Sequence, residues 1–193
     1  MEKMIEKGKR LFTHRKDSCR LKPGDHIYSF RGFYSYSHHA IYVSEDCVIH
    51  FIHTESDDNG VSGGQEEPPC KCGYQRNVHL GVVKSCLDCF LSYGTHFSET
   101  LHVYEYEESS LVKKFKRAGT CSTSKSKPPE EVVAVATALH KENAFGSYDL
   151  VDNNCEHFAT FCKTGTRSSE QVHSVMNKPF IPTLVNVVKL SSS

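Results

Sequence analysis

The stretches 25–30, 39–43 and 47–53 are short runs rich in β-branched and aromatic residues, separated by turn-forming residues. Each has the length and composition of a strand. Pro23-Gly24-Asp25 closes a charged, helix-tolerant segment ahead of them, and Ser44-Glu45-Asp46 makes a tight turn between the last two, so the pattern predicts a meander. Leu101-His102-Val103-Tyr104-Glu105-Tyr106 alternates apolar with polar and predicts one more strand. The period then changes. Val132, Val133, Val135, Ala136 and Leu139 share a helical stripe behind the proline-led, acidic first turn Pro128-Pro129-Glu130-Glu131. A second helix is expected to start at Asn153 or Asn154, to carry Cys155, Phe158, Phe161 and Cys162, and to stop at Gly165. Ser168-Ser169-Glu170-Gln171 has capping-box spacing and predicts a third helix, while 54–69 and 119–127 are polar loops. Pro179 and Pro182 break the region that follows, ahead of a short apolar piece at 184–190.

A chain of 193 residues can bury one substantial core. Lys+Arg and Asp+Glu balance at 23 each, so no net basic field recruits nucleic acid or an anionic bilayer. No window approaches the roughly 20 apolar residues of a membrane span, and the first residues lack the apolar core of a signal peptide. These features point to a cytoplasmic protein with at most peripheral membrane contact. Nine cysteines and twelve histidines, with no Trp, are then unusual. In a reducing compartment they suggest metal binding or thiol chemistry before disulfides.

Cys155 lies in Asp152-Asn153-Asn154-Cys155-Glu156-His157-Phe158, at the expected opening of a helix. Unpaired N–H groups and the positive dipole end there lower a thiol's pKa towards the nucleophilic thiolate. His38, His39, His50 and His53 on the strands are candidate bases. His38 and His50, twelve residues apart across one hairpin, can lie side by side, one as base and one as its orienting partner. His39 points to the opposite face by strand alternation. His157 is expected to cap or pack, and Cys162 to be a small buried hydrophobe. His26, His53, His79, His96, His102 and His140 read as surface residues.

Asn154-Cys155-Glu156-His157-Phe158 resembles the signature of the lecithin:retinol acyltransferase (LRAT) domain, or NC domain, shared with the H-Ras-like suppressor phospholipase/acyltransferases. Pro23-Gly24-Asp25-His26-Ile27 is similar to that family's opening strand, Tyr36-Ser37-His38-His39-Ala40-Ile41-Tyr42 to its histidine strand, and Cys47-Val48-Ile49-His50-Phe51 to the segment with the second histidine. Residues 165–172 resemble the helix after the cysteine. Many relatives have Trp where this chain has His39. The resemblance implies an α+β, circularly permuted papain-like fold, its antiparallel sheet followed by the nucleophile helix. It implies Cys155 as nucleophile, His38 as base and His50 as the histidine orienting it. The implied reaction is acyl transfer or hydrolysis through a Cys155 thioester, with an acyl lipid, usually a glycerophospholipid, as donor and no cofactor needed for catalysis.

Cys70-Lys71-Cys72 and Cys86-Leu87-Asp88-Cys89 supply four thiolates in two close pairs, the number a structural zinc takes. Four unlinked thiols in a loop-rich insert is the plainer alternative. Ser85-Cys86-Leu87-Asp88-Cys89-Phe90 also resembles a cysteine-rich segment of the family's plant branch. The expected organisation is an N-terminal arm at 1–20, the LRAT domain at 21–172 interrupted by the cysteine-rich segment 68–98, and a C-terminal extension at 173–193. A second functional reading is a metal-binding or regulatory protein tied to heavy-metal tolerance, with little or no catalysis, since soft thiolates take up several thiophilic ions. The remaining Cys19, Cys47, Cys121 and Cys162 have ordinary packing or surface positions in either reading.

Overall fold

The computed structural model describes residues 21–31, 36–53, 70–75, 78–92 and 100–172. The expected N-terminal arm with Cys19, the loop 54–69, His96 and the segment 173–193 lie outside the described residues. Strands β1 (His26–Arg31), β2 (Tyr36–Ser44) and β3 (Cys47–Phe51) form the anticipated meander. They belong to a five-stranded antiparallel sheet in the order β4-β3-β2-β1-β5, with β4 at Val82–Ser85 and β5 at Leu101–Val103. Helices α1 (Leu87–Ser92), α2 (Ser110–Phe115), α3 (Pro129–Glu142) and α4 (Cys155–Thr164) complete an α+β arrangement.

Both faces of the central strands are covered, which explains the nearly unbroken burial along β2. On one face Ile41, Ile49 and Phe51 pack with Val132 and Ala136 of α3, with Phe158, Ala159 and Cys162 of α4, and with Phe145. On the other, Ile27, Ala40, Tyr42 and Val48 pack under Leu87, Phe90 and Leu91 of α1. Each fully buried large side chain contributes roughly 1.5–3 kcal/mol through the hydrophobic effect.

α4 begins and ends where its capping residues dictate. The Asn154 side chain accepts from the N–H groups of Glu156 (2.9 Å) and His157 (3.2 Å), and His157 Nδ1 accepts from the Asn154 N–H (3.2 Å). Gly165 closes the helix in the left-handed conformation, φ 83°.

Several local details differ from the sequence pattern or are not visible in it. β5 ends at Val103 because the chain turns away: Glu105 bridges Cys121, and Glu107 adopts φ 60°. β4 comes from within the cysteine-rich stretch, so that segment and the sheet share an element. The short α2 gives no amphipathic signal, since its Leu111 and Phe115 are exposed. Gln171 does not close a capping box. The expected third helix opens at 170, capped by Ser169 Oγ, which accepts from the Val172 N–H (3.4 Å), while Gln171 reaches across to β2.

Candidate functional site

Cys155 is the first residue of α4 and is 4 % exposed. Pairing of β2 with β3 begins at Ala40↔His50, so the main chain at 37–39 lies beyond that ladder. The Cys155 thiol settles at this open end, with Sγ 3.7 Å from the Ser37 carbonyl oxygen that it faces as donor. It therefore touches the backbone immediately before His38. Burial pushes the Cys155 thiol up to about 11, against the thiolate-stabilising backbone N–H groups of His39 and Glu156. The helix-terminus expectation of a lowered pKa is thus reversed by desolvation. The resting group is the neutral thiol.

His38 and His50 do come together: Nε2 of His38 lies 3.0 Å from Nδ1 of His50, with the rings edge to face. His50 Nε2 in turn lies 3.1 Å from Ser85 Oγ on β4. Phe90 of α1 stacks on His38 at 5.2 Å and meets His50 edge-on at 5.6 Å, and the Tyr74 ring stands 5.8 Å from His50. Burial drives both imidazoles far below the usual histidine range, His50 to about 3, so both are neutral. Arg31 ties this wall together, its buried guanidinium donating to the Phe90 and Leu91 carbonyls. Nothing in the linear pattern singles out Ser85, Phe90, Tyr74 or Arg31; only the registers and helix packing bring them to the histidines.

His39 faces the α4 side, as alternation requires, and belongs to a separate buried chain. Its Nδ1 is 2.8 Å from His26 Nε2, and its Nε2 is 2.9 Å from Ser37 Oγ and 3.0 Å from Gln171 Nε2. His26 is 1 % exposed and also meets Tyr106 Oη at 2.9 Å, so its surface assignment is corrected. The opening strand has a buried face on both sides, which an isolated strand pattern does not reveal. Gln171 links this chain to Glu156, the fully buried carboxylate beside Cys155. Glu156 accepts from Ser169 Oγ (2.6 Å), the Glu170 and Gln171 N–H groups (3.1 Å each) and Gln171 Nε2 (3.2 Å). Burial raises the carboxyl pKa, and these four donors pull it back. Gln171 also holds the Ser37 main chain, its Oε1 accepting from the N–H at 2.8 Å. Glu156 and Gln171 therefore brace the strand end against which Cys155 rests. Cys162 is fully buried in the core, as expected of a small hydrophobe.

Cys70, Cys72, Cys86 and Cys89 converge, with their sulfurs all within 4.8 Å of one another. The pairs Cys70–Cys86 and Cys72–Cys89 stand 3.8 and 3.7 Å apart. A disulfide needs about 2.05 Å, whereas a tetrahedral ion with metal–sulfur bonds of about 2.3 Å sets its sulfurs roughly 3.8 Å apart. The residues fit such an ion in number, softness and spacing. No helix among the described residues is long and apolar enough to cross a membrane.

The sequence matches the family described as "Lecithin retinol acyltransferase" over residues 19–168. It is 43% identical over 167 residues to "Protein LEAD-SENSITIVE 1" of Arabidopsis thaliana, covering 80% of this chain and 61% of the relative. It is 24% identical over 172 residues to "Phospholipase A and acyltransferase 5" of Homo sapiens, covering 88% of this chain and 50% of the relative. The chain thus spans between half and two-thirds of the length of these relatives. With the family match covering most of the chain, from the opening strand through the Cys155 helix, the chain belongs to the lecithin retinol acyltransferase family.

Proposed function

We propose that this protein is a cysteine-dependent acyltransferase or phospholipase-type hydrolase acting on acyl lipids. The observation that carries the reading is the His38–His50–Ser85 chain across β2, β3 and β4, with the Cys155 thiol at the Ser37 carbonyl immediately before His38. In the tautomers that suit it, His38 Nε2–H donates to His50 Nδ1 and His50 Nε2–H donates to Ser85 Oγ. His38 Nδ1 is then the proton acceptor. Because thiol and imidazole are both neutral at rest, the proton moves when the ester is engaged rather than beforehand. Cys155 gives its proton to His38 as sulfur bonds to the acyl carbon. The ester C–O bond breaks, and the leaving oxygen takes the proton, leaving an acyl-thioester. Water, or an acceptor alcohol or amine, gives its proton to His38 and attacks the thioester; the C–S bond breaks and sulfur is reprotonated. A glycerophospholipid donor accords with the name of the human relative, and the sheet-then-helix order accords with a circularly permuted papain-like fold. Cytoplasmic residence with peripheral membrane contact accords with the balanced charge.

The four-cysteine cluster supports a second, compatible reading as a structural zinc site, or one for another soft ion. A metal-binding or regulatory role without catalysis is the competing account. Incubation with a fluorescent phosphatidylcholine followed by intact mass analysis separates the two. The acyl reading expects a covalent acyl adduct that Cys155→Ala abolishes and Cys162→Ala retains. Neither adduct nor released product in the wild-type protein, where an active family member gives both, overturns it.

A further inference from the structure

Every stretch that carries a cluster cysteine also carries a residue against the histidine pair. Cys86 directly follows Ser85, whose hydroxyl is 3.1 Å from His50. Cys89 directly precedes Phe90, which lies against both imidazole rings. Cys72 stands two residues before Tyr74, which is 7 % exposed and packs on His50. Within this segment the Gly73 N–H donates to the Cys70 carbonyl (2.8 Å), and the His79 N–H donates to the Gln75 carbonyl (3.0 Å). Segment 70–75 meets Cys86, at the junction of β4 and α1, and Cys89 of α1 through the sulfur pairs, and meets the sheet through Tyr74 beside Ile52 and Val83. Thiol–thiol contacts are weak, whereas four bonds to one divalent ion are rigid.

We propose that loading the Cys70–Cys72–Cys86–Cys89 site with a soft divalent cation sets the alignment of the His38–His50 pair, making the metal site a switch for the chemistry at Cys155. This rests on reading the four cysteines as ligands and the two histidines as the catalytic pair. The cation never touches substrate. It fixes Tyr74, Ser85 and Phe90 together, and those three form the wall that holds the rings. Such outer-shell supports commonly change activity by roughly 10–100-fold.

The test uses the full chain under reducing conditions, stripped with a chelator and then loaded with one equivalent of Zn2+ or Cd2+. Cd–thiolate absorption reports loading, nitrogen-15 NMR reports the His38 and His50 rings, and iodoacetamide reports Cys155 reactivity. Loading is expected to shift and sharpen both ring signals and to accelerate Cys155 alkylation about tenfold. Ser85→Ala and Phe90→Leu should bind cation fully while narrowing the gap between the two forms. If the stripped protein loses its fold, the Zn2+ and Cd2+ forms are compared directly, and identical ring signals overturn the proposal. Absent Cd–thiolate absorption, the metal reading fails and the switch fails with it. Full loading with unmoved ring signals overturns the switch alone. Responsive ring signals without any acyl adduct in the lipid experiment uphold the coupling and remove only the acyl chemistry.

Discussion

At Cys155 two local influences oppose each other: the start of a helix favours thiolate, and burial favours thiol. Burial dominates, placing the thiol at about 11. Alkylation of Cys155 should therefore climb with pH from 7 to beyond 9 without levelling off. A plateau already reached near pH 6 would show a preformed thiolate–imidazolium pair and contradict this assignment. The buried histidines give a second prediction. His26, His38, His39 and His50 are all held below the ordinary value of 6.5, His39 and His50 to about 3, primarily by burial. A depressed pKa means that the unfolded chain binds the proton more readily. The stability is therefore fully present above pH 6.5 and is lost as the pH falls towards about 3. Each such imidazole removes on the order of 1 kcal/mol per pH unit in that window, and the raised Glu156 carboxyl opposes the trend by a single group. Urea midpoints should drop between pH 7 and pH 5; a flat profile would refute the buried-neutral assignment.

Among the elements, α4 was the most legible in the sequence. Asn154, the apolar positions and Gly165 are neighbours along the chain, so caps and period could be read together. Asn154→Ala removes the acceptor for two N–H groups and the donor to the Leu150 carbonyl (2.8 Å). It should cost about 1–2 kcal/mol in chemical denaturation, with Asn154→Asp recovering the capping part. The same loss from both variants would remove the capping explanation. β4 was not legible, because four residues after a cysteine-rich loop carry no distinctive period, and only pairing with β3 makes them a strand. The burial of His26 is hidden in the sequence for a related reason: alternation tells which face a residue takes, but not that both faces are covered.

Across the whole molecule, the sheet divides the candidate chemistry between two faces. His38 and His50 lie with Phe90 on the α1 side, whereas His39 and Glu156 lie on the α4 side. Phe158→Ala, in the α4-side core, should destabilise the fold by about 3–5 kcal/mol while leaving metal uptake by the opposite-side cysteines intact in the folded fraction. Unfolding midpoints and metal titration together check this. Stripping a bound ion should lower the thermal midpoint of the wild-type protein, and by much less in a Cys72→Ser variant, since the ion joins 70–72 to β4 and α1. The sequence alone determined the meander, the capped cysteine helix, the family pattern and the two cysteine pairs, because capping, alternation and short spacings act between residues close along the chain. The tertiary structure alone decided that burial leaves Cys155 neutral, that His26 and His39 form an interior chain, and that the cysteine cluster abuts the histidine pair. Those outcomes depend on desolvation and on contacts between residues far apart in sequence, which exist only once the sheet is covered on both sides.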